Sequence, residues 1–93
     1  MKLVVRRKAA EDLRQIFEYI AADSPQSARH VTNRIRDTIR NSLMNFPGMG
    51  RASVVDGTRE WHVSGLPYVI VYKVDRAKTR LDVLAVYHGA QKR

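Results

Sequence analysis

The sequence has no cysteine, and it is sparing with the residues that interrupt secondary structure. Its 93 residues include five glycines and three prolines. Without cysteine the chain forms neither a disulfide framework nor a thiolate metal site, and a reducing compartment suits it. No apolar run is long enough for a transmembrane helix, and the run after Met1 is too short for a signal peptide. We therefore expect a cytoplasmic protein that does not bind membranes.

Motifs for metals and nucleotide cofactors are also missing. The histidines His30, His62 and His88 are scattered, and none has a partner four residues away. The sequence contains neither the glycine pattern of dinucleotide-binding domains nor a P-loop. Segment 48–51 superficially suggests a phosphate-binding loop, but it precedes strands and not a helix, so we interpret it as a turn. We expect no metal and no cofactor.

Positive charge is what the sequence has in excess. Lysine and arginine total 17 against nine acidic residues, which gives a net charge of +8. The excess is shared between the two halves of the chain and is not confined to a tail. It therefore belongs to the folded body and indicates an acidic partner, either nucleic acid or an acidic protein segment.

Two amphipathic helices are predicted in the first half. Leu13, Ile16, Phe17 and Ile20 form an apolar stripe on a helix over 9–22. The segment 23–25 then ends one helix and starts the next, with the serine as N-cap and the proline at the first helical position. The second helix is predicted to run to about position 46. Its expected buried stripe is Ala28, Val31, Ile35, Ile39, Leu43 and Phe46.

Strand patterns fill most of the remaining chain. Segment 3–5 is a short opening strand, and the alternating or apolar segments 59–63, 68–74 and 81–88 follow the helices. The last is apolar on both faces, which predicts a central strand. The element order β-α-α-β-β-β predicts one α+β domain over 1–93, with a helical hairpin packed on a small antiparallel sheet.

Cationic and aromatic side chains are the candidates for function. Arg29, Arg36 and Arg40 share a stripe of the second helix, which is either a solvated face or a docking site for an acidic partner. The sheet half and its loops carry a second set: Arg51, Arg59, His62, Lys73, Tyr87, His88, Lys92 and Arg93. Interleaved cations and aromatics suit a nucleic-acid surface. They could also cleave RNA without a metal, with His88 or Tyr87 transferring protons and cations stabilising the phosphorane.

Five segments together resemble the RelE/ParE superfamily, the toxins of toxin–antitoxin operons. Segment 9–21 is similar to the first helix of these toxins, and 23–25 to the turn between their helices. Leu43 to Arg51 resembles the junction L-x-x-x-P-x-x-G-R, segments 59–63 and 67–74 resemble the sheet signature, and 83–90 resembles the closing strand. The resemblance covers nearly the whole chain and implies a RelE/ParE-like toxin domain.

The resemblance favours the ParE branch. RelE-like members, which cleave mRNA on the ribosome, usually place an arginine after the tyrosine that opens the penultimate strand, where this chain has Val69 after Tyr68. They also tend to carry a basic middle loop, and segment 52–57 has no lysine or arginine. ParE-like members often close with His-Gly-Ala-Arg, and here Gln91 stands in the place of that arginine.

A ParE-like identity implies a toxin that inhibits DNA gyrase by binding and takes part in plasmid stabilisation. It also implies a cognate antitoxin, of the ribbon-helix-helix type, and a toxin–antitoxin hetero-oligomer. On this basis we assign target binding to Arg51, Arg59, His62, His88, Lys92 and Arg93. We assign antitoxin binding to Arg29, Arg36, Arg40 and Lys73.

Two alternatives stay open from the sequence. One is a RelE-like, ribosome-dependent mRNA endonuclease that needs no metal, with Arg59, Tyr87 and His88 as its catalytic residues and the ribosome and mRNA as partners. The other is a plain nucleic-acid-binding module without toxicity, which would bind duplexes with steep salt dependence.

Overall fold

The computed structural model describes residues 1–90. Within them, two α-helices and five strands form the main elements. The elements follow one another in this order: β1 Lys2–Val5, α1 Arg7–Ala21, α2 Pro25–Asp37, β2 Arg51–Ala52, β3 Arg59–His62, β4 Tyr68–Asp75 and β5 Arg80–His88. The helices pack on one face of the sheet, so the predicted fold class is confirmed.

The turn between the helices has the predicted chemistry. The Ser24 hydroxyl accepts a hydrogen bond from the Ser27 backbone N–H at 3.1 Å, and Pro25 occupies the first helical position. A serine at this position satisfies one of the N–H groups that the first turn of a helix leaves without a partner. The side-chain cap therefore fixes where α2 begins.

The second helix changes its winding near its end. Thr38–Leu43 forms a π-helical stretch, in which the Met44 N–H reaches the Ile39 carbonyl five residues back, at 3.1 Å. Ile39 and Leu43 stay buried through this change. The prediction that the stripe extends to Phe46 is wrong, because the helical winding ends at Leu43 and the Phe46 side chain is 58% exposed.

The sheet has the strand order β1-β5-β4-β3-β2. Strands β3 to β5 are antiparallel neighbours, as predicted. The two-residue strand β2, which was not predicted, adds to β3 in the same antiparallel sense, but β1 lies parallel to β5. The antiparallel prediction is wrong for β1, because the helical hairpin separates β1 from the other strands. A connection of that length allows two neighbouring strands to run in the same direction. Strand β5 has neighbours on both sides, in agreement with its apolar sequence.

The core lies between the helices and one face of the sheet. Leu13 and Ile35 from the helices meet Ile70, Tyr72 and Leu81 from the strands in one cluster of buried side chains. Tyr68 and Tyr72 belong to this cluster, and Trp61 packs against it, so these aromatic side chains contribute to the core.

The other side of the sheet is turned away from both helices, and we call it the open face. Successive residues of a strand project to opposite faces, and paired residues on neighbouring strands share a face. The pairings Lys2 with Arg80, Lys73 with Asp82, and His62 with Val69 place these residues on the open face. This division decides which candidate side chains can act together.

Candidate functional site

A groove of about 400 Å³ lies between α1 and the ends of β4 and β5. Tyr68 and His88, paired across these two strands, pack edge to face inside it with 5.6 Å between ring centroids. The Nδ1 atom of His88 accepts a hydrogen bond from the Ala90 N–H at 3.1 Å, which orients the ring as the chain leaves β5. Tyr19 also borders the groove and is 82% exposed, so the groove offers aromatic surface to a partner.

The acidic residue in this groove, Asp12, already makes a hydrogen bond and an ion pair within the fold. One Asp12 oxygen accepts a hydrogen bond from the Val86 backbone N–H at 2.9 Å, and Lys8 pairs with the same carboxylate at 2.9 Å. Asp12 thereby joins α1 to β5 beyond the point where β1 ends. Burial raises the pKa of the Tyr68 phenol, so this hydroxyl stays protonated at neutral pH.

Arg59 lies far from this groove. Its Nη1 atom donates to the Gly50 carbonyl at 2.7 Å, and it pairs with Tyr72, whereas His88 pairs with Tyr68. Those two β4 positions are four residues apart, which is about 13 Å along a strand. Tyr87 and His88 are neighbours on β5 that both line the groove, although their side chains start from opposite faces of the sheet. Arg59 is therefore not gathered on one patch with Tyr87 and His88.

Arg51 and His62, two further target-binding candidates, lie on the open face of the sheet. Arg51 on the edge strand β2 is 3.6 Å from the buried Glu60 carboxylate and keeps most of its side chain exposed. His62 is exposed on β3 and shares the open face with Tyr87, with Val69 between them. Lys92 and Arg93 lie outside the described residues. Arg51, His62 and Tyr87 thus share a face that Arg59 and His88 do not.

The antitoxin-binding candidates divide between two surfaces. Arg36 and Arg40 line a groove of about 260 Å³ whose floor includes Leu3 and Val5 of β1, and Arg29 is exposed seven residues before Arg36 on α2. Lys73 instead lies on the open face of the sheet, away from both helices. The structure brings Arg36 and Arg40 together beside an edge strand and leaves Lys73 out.

A charged cluster that the sequence interpretation missed lies on the open face. The Asp82 carboxylate is fully buried and accepts hydrogen bonds from Arg6 at 2.7 and 2.9 Å and from Arg80 at 2.7 Å. Burial alone would raise the pKa of Asp82, but the hydrogen bonds from Arg6 and Arg80 outweigh it, and the pKa lies below its usual value. The available signal was an aspartate between Leu81 and Val83, inside a strand that is otherwise apolar.

The substitution Asp82→Asn should lower the free energy of unfolding at pH 7 by about 1.5–3 kcal/mol, because it removes charged hydrogen bonds that join β1 to β5. Since the folded-state pKa is lowered, the ionised carboxylate contributes fully above the unfolded-state value near ~3.9. That contribution is lost as the pH falls through the folded-state value.

Denaturant unfolding of both proteins between pH 2 and pH 7 measures this effect. The difference in stability should shrink below about pH 4, where the wild-type carboxylate takes up a proton. Asp56→Asn in an exposed turn is the matched control and should change stability little. A difference that stays constant down to the lowest pH would contradict an ionised role for Asp82.

Neither a membrane-spanning helix nor a metal-binding cluster is present in residues 1–90. No helix there is long and apolar enough to cross a membrane. Within the same range, no group of three or more His, Cys, Asp or Glu side chains is placed to hold a metal ion. The candidate surfaces described above consist of cations, aromatics and an open strand edge.

Comparisons with known proteins identify the family. The family model of the ParE toxin of type II toxin–antitoxin systems, parDE, matches residues 3–93. The curated protein Y4kP of Sinorhizobium fredii, whose name describes it as a candidate toxin, is 32% identical over 84 residues, covering 90% of this chain and 83% of the relative. Both matches span most of the chain, so they concern the fold as a whole and not one motif.

Solved structures of similar shape agree. A chain of the chromosomal ParDE system from P. aeruginosa superposes with a TM-score of 0.81 at 26% identity, over 95% of each chain. A chain of the RelBE2 complex from Mycobacterium tuberculosis gives 0.71 at 18%, covering 94% of this chain and 95% of the other. A chain of the intact E. coli RelBE complex gives 0.70 at 15%, over 98% of each. The last two show the fold alone.

The predicted resemblance to the RelE/ParE superfamily is thus confirmed, together with the preference for its ParE branch. The matched range, residues 3–93, spans both the helical hairpin and the sheet beneath it. The chain belongs to the ParE toxin family of type II toxin–antitoxin systems.

Proposed function

We propose that this toxin, acting as a single domain over 1–93, inhibits DNA gyrase by binding and is neutralised by a cognate antitoxin. The observation that carries the proposal is the separation of the groups that would cleave RNA. The cations of the toxin lie on exposed, ordered surfaces, and this arrangement suits binding to a large acidic partner. A gyrase target also places its action in the cytoplasm, and a binding mechanism requires no cofactor.

Metal-free RNA cleavage makes a stricter geometric demand. A base, an acid and a cation must all come within hydrogen-bonding distance of one phosphate. Arg59 is separated from His88 by at least about 13 Å of strand length, and it donates to a backbone carbonyl. These features favour inhibition by binding over catalysis.

Ribosome-dependent mRNA cleavage is the second candidate. The observation in its favour is the exposed His88 at the mouth of an aromatic groove, next to Tyr68. On the ribosome, the missing cation would have to come from the ribosome itself or from residues beyond Ala90. This alternative predicts that translated mRNAs are cut at fixed codon positions.

Expression without the antitoxin separates the two candidates in cells. We expect replication to stop and the DNA-damage response to be induced, with translated mRNAs intact by primer extension. Cuts at fixed codon positions without a DNA-damage response would overturn the gyrase proposal. An expression strain that also makes the antitoxin is the control and should show neither effect.

We propose further that the antitoxin, of the ribbon-helix-helix type, binds beside β1 and forms a stable hetero-oligomer with the toxin. Strand β1 is the last strand of the sheet on its side, so its outer edge can pair with an added strand. Leu3 and Val5 line the groove next to that edge, with Arg36 and Arg40 on its opposite wall. An extended segment with alternating apolar and acidic side chains would match both features.

A further inference from the structure

The open face carries a cluster of cations at the corner formed by β1, β5 and β4. Arg6 and Arg80 contact the Asp82 carboxylate, Lys2 pairs with Arg80 across the β1–β5 ladder, and Lys73 pairs with Asp82 across the β4–β5 ladder. We call these four cations, arranged around Asp82, the β1–β5 cation cluster. They outnumber the two carboxylates on that corner, Asp82 and Asp75, so the corner is positively charged.

The two arginines of this cluster are held in position and still accessible. Asp82 is 0% exposed, whereas the side chains of Arg6 and Arg80 are 47% and 25% exposed. Both guanidiniums donate to Asp82 through Nε and Nη2, and within residues 1–90 the Nη1 of neither donates a hydrogen bond. A guanidinium fixed through two donors loses little further freedom when its remaining donors contact a phosphate.

Lys2 and Lys73 are the other two members of the cluster, and unlike the arginines they do not bind Asp82. Lys2 is exposed and Lys73 is partly exposed, and neither makes an ion pair within the described range. The cluster spans three adjacent strands, which is about 10 Å. That distance corresponds to about three steps between successive phosphates of one DNA strand, at roughly 3.4 Å of axial rise each.

We propose that the β1–β5 cation cluster binds the phosphate backbone of duplex DNA. The cluster lies on the surface of the sheet, where a regular row of phosphates can contact it. The groove beside β1 instead combines an apolar floor with arginines, which suits a peptide. The cluster lies on the opposite side of the sheet from Arg36 and Arg40, so DNA and antitoxin would not compete for these residues. The inference goes beyond the proposed function, because duplex binding by the toxin alone does not depend on its action on gyrase.

Fluorescence anisotropy with a labelled 20-base-pair duplex of arbitrary sequence tests the proposal on the full chain, without gyrase. The double variant Lys2→Gln/Lys73→Gln should weaken binding at least about tenfold at 0.1 M salt, since each lysine that contacts a phosphate contributes close to one unit of salt slope. The slope of log K against log salt should become shallower by about two.

The matched control is Lys8→Gln/Arg14→Gln, which removes the same charge from exposed positions of α1 on the helix side. It should bind the duplex within about twofold of the wild type, and thermal unfolding should show that both variants are folded. Equal losses in the two double variants, or no duplex binding by the wild type at 0.05 M salt, would overturn the proposal. Normal gyrase inhibition by Lys2→Gln/Lys73→Gln with weakened duplex binding would support the DNA-binding proposal and show that this binding is separate from gyrase inhibition.

Discussion

Replacing Gly50 by alanine is expected to destabilise the fold by about 3 kcal/mol or more. A Cβ at position 50 would lie 2.8 Å from the Tyr72 ring and 2.9 Å from the Glu60 carbonyl oxygen, with the Tyr72 hydroxyl closer still. Tyr72 is fully buried and the carbonyl belongs to β3, so neither can easily move away. Overpacking of this kind costs about 1–3 kcal/mol.

The same substitution also breaks hydrogen bonds. The Tyr72 hydroxyl donates to the Pro47 carbonyl and accepts from the Gly50 N–H, both at 2.9 Å, and so ties the junction after α2 to the sheet. Displacing the ring leaves buried polar groups without partners, at about 1–3 kcal/mol for each. Together these costs approach the whole stability of a small domain.

Gly48→Ala is the matched control, because a Cβ there meets no atom within 4 Å. It should leave stability unchanged or raise it by up to about 1 kcal/mol. Urea unfolding followed by the fluorescence of the single tryptophan, Trp61, measures both variants. Similar stabilities for the two alanine variants would show that Gly50 is not held against Tyr72 as described.

Reversing the charges of Arg36 and Arg40 is expected to weaken antitoxin binding at least about 100-fold. The two side chains line the groove beside the β1 edge, and loss of one partner of a buried, hydrogen-bonded charge pair costs about 2–5 kcal/mol at an interface. Calorimetric titration of Arg36→Glu/Arg40→Glu with the cognate antitoxin gives the affinity. Cells that express the variant should no longer be rescued by the antitoxin.

The matched control for that variant is Arg76→Glu/Lys78→Glu at the exposed turn between β4 and β5, which changes the net charge by the same amount. It should bind the antitoxin within a few-fold of the wild type. Equal losses in both variants would mean that the antitoxin responds to overall charge, and the proposed site beside β1 would then be wrong.

Local signals allowed the fold class and the helical hairpin to be predicted. Ser24 and Pro25 marked the start of α2 because capping depends on the residues of one turn. The buried stripe through Ile35, Ile39 and Leu43 followed from helical spacing. Phe46 was assigned to that stripe wrongly, since apolar spacing continues past the point where the winding ends.

Features that depend on distant pairings were not predictable in the same way. The parallel alignment of β1 with β5 joins positions almost eighty residues apart, and so does the contact of Arg6 with Asp82. Arg59, Tyr87 and His88 have suitable chemistry for RNA cleavage, but residue type does not reveal which end of a strand or which face they occupy. Register across the sheet separates Arg59 from the other two.

The most direct measurement is DNA supercoiling by purified gyrase in the presence of the purified toxin, with and without its antitoxin. We predict that the toxin stops supercoiling at a modest molar excess and that pre-mixing with the antitoxin restores it. Unchanged supercoiling at a large excess, combined with cleavage of mRNA on translating ribosomes, would contradict inhibition by binding.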